Sequence, residues 1–326
     1  LMAMVLLARQ EVVLDRDIIL LAVADEEVHN TGIQLIAEEY WDEIGCSHVL
    51  NEGGMGLDGL FFDDQEAYAI SVGENGVLWL KMVATGQPGH GSTPRPDEAP
   101  ARLLAGISAI EERRVTGTIH PAMLEMLQIS GRHAGGALGV LLSHPRLFQP
   151  LIQSQMMGDP VTRAAITDTV HVTGLGGANE PNVVPGEAYA LLDCRLLPGT
   201  DPNDLIDELV ALVDDPQIHF EVLSSEPAAV SEWRGDPVYD ALARQATRDR
   251  PQAIAGPVIS VGFTDSIYLR PLGVRAYGLL PVITNEDGLR SMHGNNERVS
   301  TAELQRGLEI LYRTLWEVSA PSNAID

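Results

Sequence analysis

Cysteine is nearly absent: Cys46 and Cys194 are the only two in 326 residues, and they stand in different segments. That excludes a disulfide framework as the basis of the fold, and no C-x-x-C metal or redox signature occurs. Both read as small buried hydrophobes, and a reducing cytoplasm suits them without being required. Lysine is scarcer still. Lys81 is the only one, and 21 basic residues face 46 acidic ones, giving a net charge of −25. A chain this acidic repels nucleic acid and anionic membrane surfaces, so neither is expected as a partner. The acidic excess is spread along the chain, as on a solvated surface, and says little about a substrate. Apolar runs long enough to cross a bilayer are missing too. Leu1–Leu7 is apolar but lacks the basic flank and cleavage site of a signal peptide. Leu1 is not an initiating methionine, so the N-terminus reads as cut from something longer, and a signal sequence there would be invisible. Internal repeats and low-complexity tracts are also lacking.

What remains is ordinary globular material, 45% hydrophobic and 21% charged, long enough for two domains. The sequence predicts a helix over Leu1–Gln10, a continuous apolar strand over Asp17–Ala24, an amphipathic helix over Thr31–Glu43 and a strand opening at His48–Leu50. Continuous apolar strands separated by helices indicate a parallel sheet covered on both faces. Near Gly76 the style changes. Val77–Thr85 alternates weakly, as in a sheet exposed on one side, and a helix follows from about Ala99 to Arg114. Residues 119–163 are apolar and helix-prone but interrupted by Gly and Pro. Strands are expected at Thr167–Thr173, Glu187–Leu196 and His219–Leu223, with a helix from Thr200 to about Val213 between the last two. From Pro237 the α/β style resumes, with a helix at Val238–Arg248, strands near Pro257–Val261 and Val274–Leu279, and a last helix from Thr301 to about Val318 capped by Ser300. The simplest architecture is an α/β domain made of 1–76 and 225–326, interrupted by an inserted α+β domain over 77–224. Ligand sites in such sheets lie off the carboxyl ends of strands, here the loops after Ala24, Leu50 and Leu279.

Three segments can carry chemistry. Asp25-Glu26-Glu27 directly follows the first buried strand. A solvated cluster at a strand end is an ordinary explanation, yet three carboxylates at such a mouth repel one another unless a cation neutralises them. Adjacent residues point in different directions, so one glutamate can bind metal while its neighbour faces an attacking water. Asn51-Glu52-Gly53-Gly54 repeats the theme at the next strand: a simple Gly-Gly turn, or a backbone passing close to an ion with Glu52 as a second hard oxygen ligand. Met292-His293-Gly294-Asn295-Asn296-Glu297 is a polar loop before the last helix. A lone histidine there is usually no ligand, but an imidazole joining two carboxylates gives the mixed N/O shell that zinc favours.

Further motifs join these in order: Gly73-Glu74-Asn75-Gly76, Gly89-His90-Gly91-Ser92, Asn182-Val183-Val184-Pro185, Asp193-Cys194-Arg195 and Gly262-Phe263-Thr264-Asp265-Ser266. Each is weak alone. Together with Ala24-Asp25-Glu26-Glu27, Asn51-Glu52-Gly53-Gly54 and His293-Gly294-Asn295-Asn296-Glu297, the sequence resembles the dizinc aminoacylase/carboxypeptidase metallopeptidase family over nearly its whole length. Members include glutamate carboxypeptidase, acetylornithine deacetylase, succinyl-diaminopimelate desuccinylase, carnosinase and yeast vacuolar carboxypeptidase S. The resemblance implies a three-layer α/β catalytic domain with a mainly parallel sheet and a ferredoxin-like α+β insert serving as lid and dimerisation domain. It implies Glu26 as general base, Glu27 and His293 as ligands of one metal, and Glu52 as ligand of the other. His90 is implied to steady the oxyanion and, in dimers, to reach the partner's site. Asn182 and Arg195 match positions that hold the substrate's carbonyl and carboxylate. The cofactor would be zinc, two ions in the intact protein, with cobalt or manganese as alternatives.

One departure stands out. The family also needs a His-x-Asp histidine and a bridging aspartate before the Asp-Glu-Glu strand, and Asp15 and Asp17 at the start of that strand suit neither role. By family spacing both ligands would lie upstream of Leu1. The expected activity is hydrolysis of an amide bond in a small peptide with a free C-terminus or in an N-acyl amino acid. Residues 119–163 resemble the enlarged insert of the carboxypeptidase S branch, which leans toward apolar side chains. Two other readings are a paired-carboxylate glycosidase, which leaves His293 and Asn182 unexplained, and a non-catalytic binding protein or inactive fragment on the same fold.

Overall fold

The computed structural model describes residues 1–28, 30–59, 62 and 65–321. The chain divides by contact into two units, Leu1–Glu74 with Ile119–Ile152 and Val230–Asp326, and Asn75–Thr118 with Gln153–Ala229. Ten strands occur among the described residues: β1 (His48–Asp58), β2 (Glu66–Glu74), β3 (Gly76–Thr85), β4 (Gly89–His90), β5 (Thr169–Gly176), β6 (Val183–Val184), β7 (Glu187–Leu196), β8 (Ile218–Glu226), β9 (Ile254–Ser260) and β10 (Arg275–Thr284).

The first unit holds a mixed sheet ordered β1-β10-β2-β9. β1 pairs with β10 and β2 with β9 in parallel, while β2 runs antiparallel to β1 and β10. β2 is buried from Ala67 to Glu74, which requires cover on both faces. Successive strand side chains point to opposite faces. Met126 of the helix Pro121–Ala134 packs with Ala67 and Ile254. Val238, Leu242 and Ile310, from the helices Pro237–Thr247 and Thr301–Ser319, pack instead with Tyr68, Ile70 and Val72. The unit is therefore helix, sheet and helix, three layers of α/β structure.

One sequence expectation is revised here. Residues 17–24 form no strand: Leu21 and Val23 pack with Ile33, Leu269 and Val274, while Ile19 and Leu20 are 54% and 50% exposed. An apolar run becomes a strand only where a neighbour takes its backbone hydrogen bonds, and no described strand pairs with this one. Ser300 stands at the N-cap of the last helix, as expected, in extended conformation and without a side-chain capping hydrogen bond. The helices Pro121–Ala134 and Gly136–Ser143 group with the first unit, although they fall inside the 77–224 insert read from sequence. Gly135 and Gly136, with φ of 66° and 67°, make the turn between them.

The second unit is an antiparallel sheet ordered β5-β7-β3-β8. Its connectivity, β3, helix Ala99–Glu111, β5, β7, helix Pro202–Val213, β8, is the ferredoxin-like β-α-β-β-α-β pattern. Leu78, Leu80, Met82 and Ala84 of β3 join Ala190, Leu192 and Cys194 of β7 beneath Leu103, Leu205 and Leu209. Cys46 and Cys194 are both free thiols. No helix among the described residues is long and apolar enough to cross a membrane.

Candidate active site

The acidic triplet sits on a turn, and the turn is held by its first member. Asp25 has φ of 60°, in the left-handed region that aspartate tolerates better than most residues. Its carboxylate accepts hydrogen bonds from the Thr31 and Gly32 backbone N–H groups at 3.2 and 3.0 Å, and from the Thr31 hydroxyl. It thereby caps the helix that begins at Thr31. The Asp25 carbonyl accepts from the Val28 and Asn30 N–H groups at 3.1 and 3.0 Å. Glu26 and Glu27 are left at the outside of this closed loop, Glu26 partly covered and Glu27 exposed.

Glu52 is presented differently. β1 does not end at Leu50 but runs on to Asp58, and its register against β10 shifts between Asn51 and Met55. That bulge contains Glu52, Gly53 and Gly54, with Gly53 at φ of 116°. Bulges re-aim side chains beside functional sites, and this one turns Glu52 out of the ladder. A Cβ on Gly54 would lie 2.1 Å from the Ala69 carbonyl oxygen and 2.6 Å from that of Gly278. Gly54 is thus required by the close approach of three strands, a reason that the sequence did not disclose.

The electrostatics tie these pieces together. Burial and then the carboxylates of Glu52, Glu27, Asp265 and Glu74 push the Glu26 carboxyl up to about 7. Glu52 is raised by burial and by Glu27, Asp265 and Glu74, with His293 opposing. Burial raises Asp265 as well. His293 Nδ1 lies 3.8 Å from Glu27 Oε2, so the structure brings together the pair expected to share one metal. In kind the donors fit a divalent cation: mutually repelling carboxylates with one imidazole among them. In geometry the convergence stops at two, because among the described residues no three His, Cys, Asp or Glu side chains stand close enough to hold an ion.

The other expected residues belong to the second unit. β4 pairs with β6, setting His90 opposite Val183, and the Gly91 N–H donates to the Asn182 carbonyl at 2.8 Å. His90 and Asn182 are therefore neighbours at one small ladder. The Ser92 backbone N–H donates to His90 Nδ1 at 3.2 Å, which leaves the ring proton on Nε2. Arg195 is paired across its own strand with Asp193, Nε to Oδ1 at 2.9 Å and Nη2 to Oδ2 at 3.0 Å. Any anion it receives must compete with that carboxylate.

Residues 72–221 match the family model M20_dimer, the peptidase dimerisation domain. The match covers a little under half of the chain. The chain is also similar to curated enzymes. It is 27% identical over 301 residues to the N-fatty-acyl-amino acid synthase/hydrolase PM20D1 of Homo sapiens, covering 89% of this chain and 59% of that protein. It is 26% identical over 298 residues to the probable carboxypeptidase S-like 2 of Dictyostelium discoideum, covering 89% and 57%. Among solved structures, the M20 family metallo-carboxypeptidase Sso-CP2 from Sulfolobus solfataricus aligns with a TM-score of 0.56 at 16% identity, over 88% of this chain and 67% of that one. The fold shared with that structure thus extends beyond the matched domain, while the chain spans about three fifths of the length of those curated relatives.

Glu74, Thr264 and Asp265 stand within sequence motifs that assign them no role, and Asn30 stands in none. Glu74 is fully buried at the end of β2, with Arg270 Nη1 at 3.3 Å. It accepts from the Thr264 N–H at 3.1 Å and from the Thr264 hydroxyl at 2.7 Å. A glutamate after six largely apolar positions was the available signal. The histidine at 29 lies outside the described residues.

Proposed function

We propose that the protein hydrolyses an amide bond in peptides with a free C-terminus or in N-acyl amino acids, with Glu26 as general base. The observation that carries this reading is the Glu26 carboxyl, pushed up to about 7 beside the Glu27–His293 pair. A base works best when its pKa lies near the working pH, and such tuning marks sites where protons move.

Glu27, Glu52 and His293 would hold zinc, with cobalt or manganese as alternatives, and the intact family member would hold two ions. Bound zinc would supply acidification of water and polarisation of the scissile carbonyl. Glu26 then takes the proton from the attacking water and hands it to the leaving amine. His90, with its proton on Nε2, donates to the developing oxyanion, a contribution of roughly 3–4 kcal/mol when one such donor is removed. Asn182 holds the substrate carbonyl. Arg195 exchanges Asp193 for the substrate carboxylate, which places specificity for a free acid on one residue.

Names of relatives guide the substrate: one is an N-fatty-acyl-amino acid synthase/hydrolase and another a probable carboxypeptidase S-like protein. Apolar N-acyl amino acids are accordingly the first class to test. We also propose a homodimer formed through the dimerisation domain, with His90 lent to the partner's site. A non-catalytic binding role on this fold is favoured by one observation, the convergence of two donors rather than three among the described residues. Screening N-acyl amino acids and dipeptides with the protein expressed from its complete gene, with and without EDTA, separates these readings. Chelator-sensitive release of an apolar amino acid supports the enzyme. Binding without turnover supports the alternative, and EDTA-insensitive hydrolysis contradicts the metal.

A further inference from the structure

We infer that Thr264 and Asp265 are positioning residues that set the two halves of the acidic site in register, one through Asn51 and Glu52, the other through Asn30 and the Glu26–Glu27 turn. The proposal rests on the reading above only for what the positioned groups do.

The chain of contacts starts from a buried charge. Glu74 cannot move without stranding its carboxylate in a dry interior, which is costly unless every oxygen keeps a partner. Its partners are Arg270 and both polar groups of Thr264, so the loop Gly262–Ser266 is fixed at Thr264. A hydroxyl has one proton and two lone pairs. Thr264 uses all three: it donates to Glu74 and accepts from Asn51 Nδ2 at 3.3 Å and from the Ser266 N–H at 3.2 Å. Asn51 Nδ2 also donates to the Ser266 hydroxyl at 3.0 Å. Asn51 opens the β1 bulge, so Thr264 governs the residue next to Glu52.

The next residue governs the other half. Asp265 Oδ1 accepts from Asn30 Nδ2 at 3.0 Å, a bond between residues 235 apart in sequence. Asn30 is 3% exposed, sits at φ of 53°, and closes the turn through its N–H on the Asp25 carbonyl. A buried amide with a left-handed backbone stays in place only where its surroundings hold it. Because 264 and 265 are adjacent, the distance between the Glu26–Glu27 turn and Glu52 is set by one peptide unit. Supporting shells of this kind orient ligands and bases, and their loss typically costs about 10–100-fold in metal affinity or activity.

The test compares Thr264→Val, Thr264→Ser, Asp265→Ala and Asp265→Asn in the protein expressed from its complete gene. Zinc alone is titrated by calorimetry, the Val28 and Asn30 amides are followed by hydrogen exchange, and kcat and KM are measured on an N-acyl amino acid. Thr264→Val is expected to weaken zinc binding and lower kcat by at least about tenfold with KM little changed, and Thr264→Ser to restore both. Asp265→Ala is expected to speed exchange at Val28 and Asn30 by about tenfold, while Asp265→Asn, which keeps the accepting oxygen, does not. Val and Ala variants that lose thermal stability but keep wild-type zinc affinity and exchange would overturn the proposal. So would a Ser variant no better than Val. If the wild type hydrolyses nothing, the functional reading fails by itself, and zinc affinity with amide exchange still decides the positioning claim.

Discussion

Arg270→Met is the sharpest structural perturbation of the first unit. Arg270 is 7% exposed and Glu74 0%, and burial alone already disfavours the guanidinium charge. Removing it leaves the Glu74 carboxylate buried with only the two Thr264 donors. The neutral bonds lost with it, to the Ser231 hydroxyl at 3.3 Å and the Ala276 carbonyl at 3.1 Å, matter less. Ser231 and Ala276 bond each other in both directions, at 3.1 and 2.9 Å, so neither is stranded. The uncompensated charge therefore dominates, and breaking such a pair costs about 3–5 kcal/mol. A domain has only about 5–15 kcal/mol in total, so the variant should unfold at distinctly lower urea. Adding Glu74→Gln to Arg270→Met removes the stranded charge and should recover most of the loss. Urea unfolding at pH 7 followed by circular dichroism reads both. A single variant within about 1 kcal/mol of wild type, or a double variant no better than the single, would refute the reasoning.

Three further expectations follow from the site. Gly54→Ala pushes a methyl group against two backbone carbonyls that cannot rotate away, so it should cost about 3 kcal/mol or more and weaken zinc binding through Glu52, measured by denaturation and calorimetry. A Glu26 carboxyl raised from 4.5 to about 7 binds protons better in the folded chain than in the unfolded one. In EDTA the wild type should therefore lose stability relative to Glu26→Gln as pH rises from about 4.5 to 7 and level off above it, and a difference that grows the other way contradicts the shift. Inactive His90→Ala mixed with inactive Glu26→Gln under subunit exchange should regain activity, because one mixed site then holds both groups; exchange without recovery means that His90 does not act across an interface.

Legibility followed the kind of signal each element sends. β7 was readable because Ala188, Ala190, Leu192, Cys194 and Leu196 alternate with partly exposed residues, and such a pattern fits only a half-buried strand. β3 alternates only weakly, since Val77 and Val83 are buried along with Leu78, Leu80, Met82 and Ala84. The run 17–24 misled, because continuous apolar residues suit a buried strand and a packed irregular segment equally well. β2 went unnoticed because it is buried on both faces and built partly of alanine, serine and glycine, so nothing alternates. In the site, Glu26, Glu27 and His293 came from motifs, and the structure brings Glu27 and His293 together. The capping role of Asp25 and the strand crossing at Gly54 depend on partners six to more than two hundred residues away, which no local pattern records.

The division of labour between two adjacent glutamates is the heart of the functional account. It is tested by measuring zinc content and kcat for Glu26→Gln and Glu27→Gln side by side, in the protein expressed from its complete gene. A general base contributes about 10²–10⁴-fold to the rate, so Glu26→Gln should keep zinc near the wild-type level while kcat falls by that much or more. Glu27→Gln should lose zinc together with activity. Equal activity in both variants, or zinc lost from Glu26→Gln and kept by Glu27→Gln, would contradict the account.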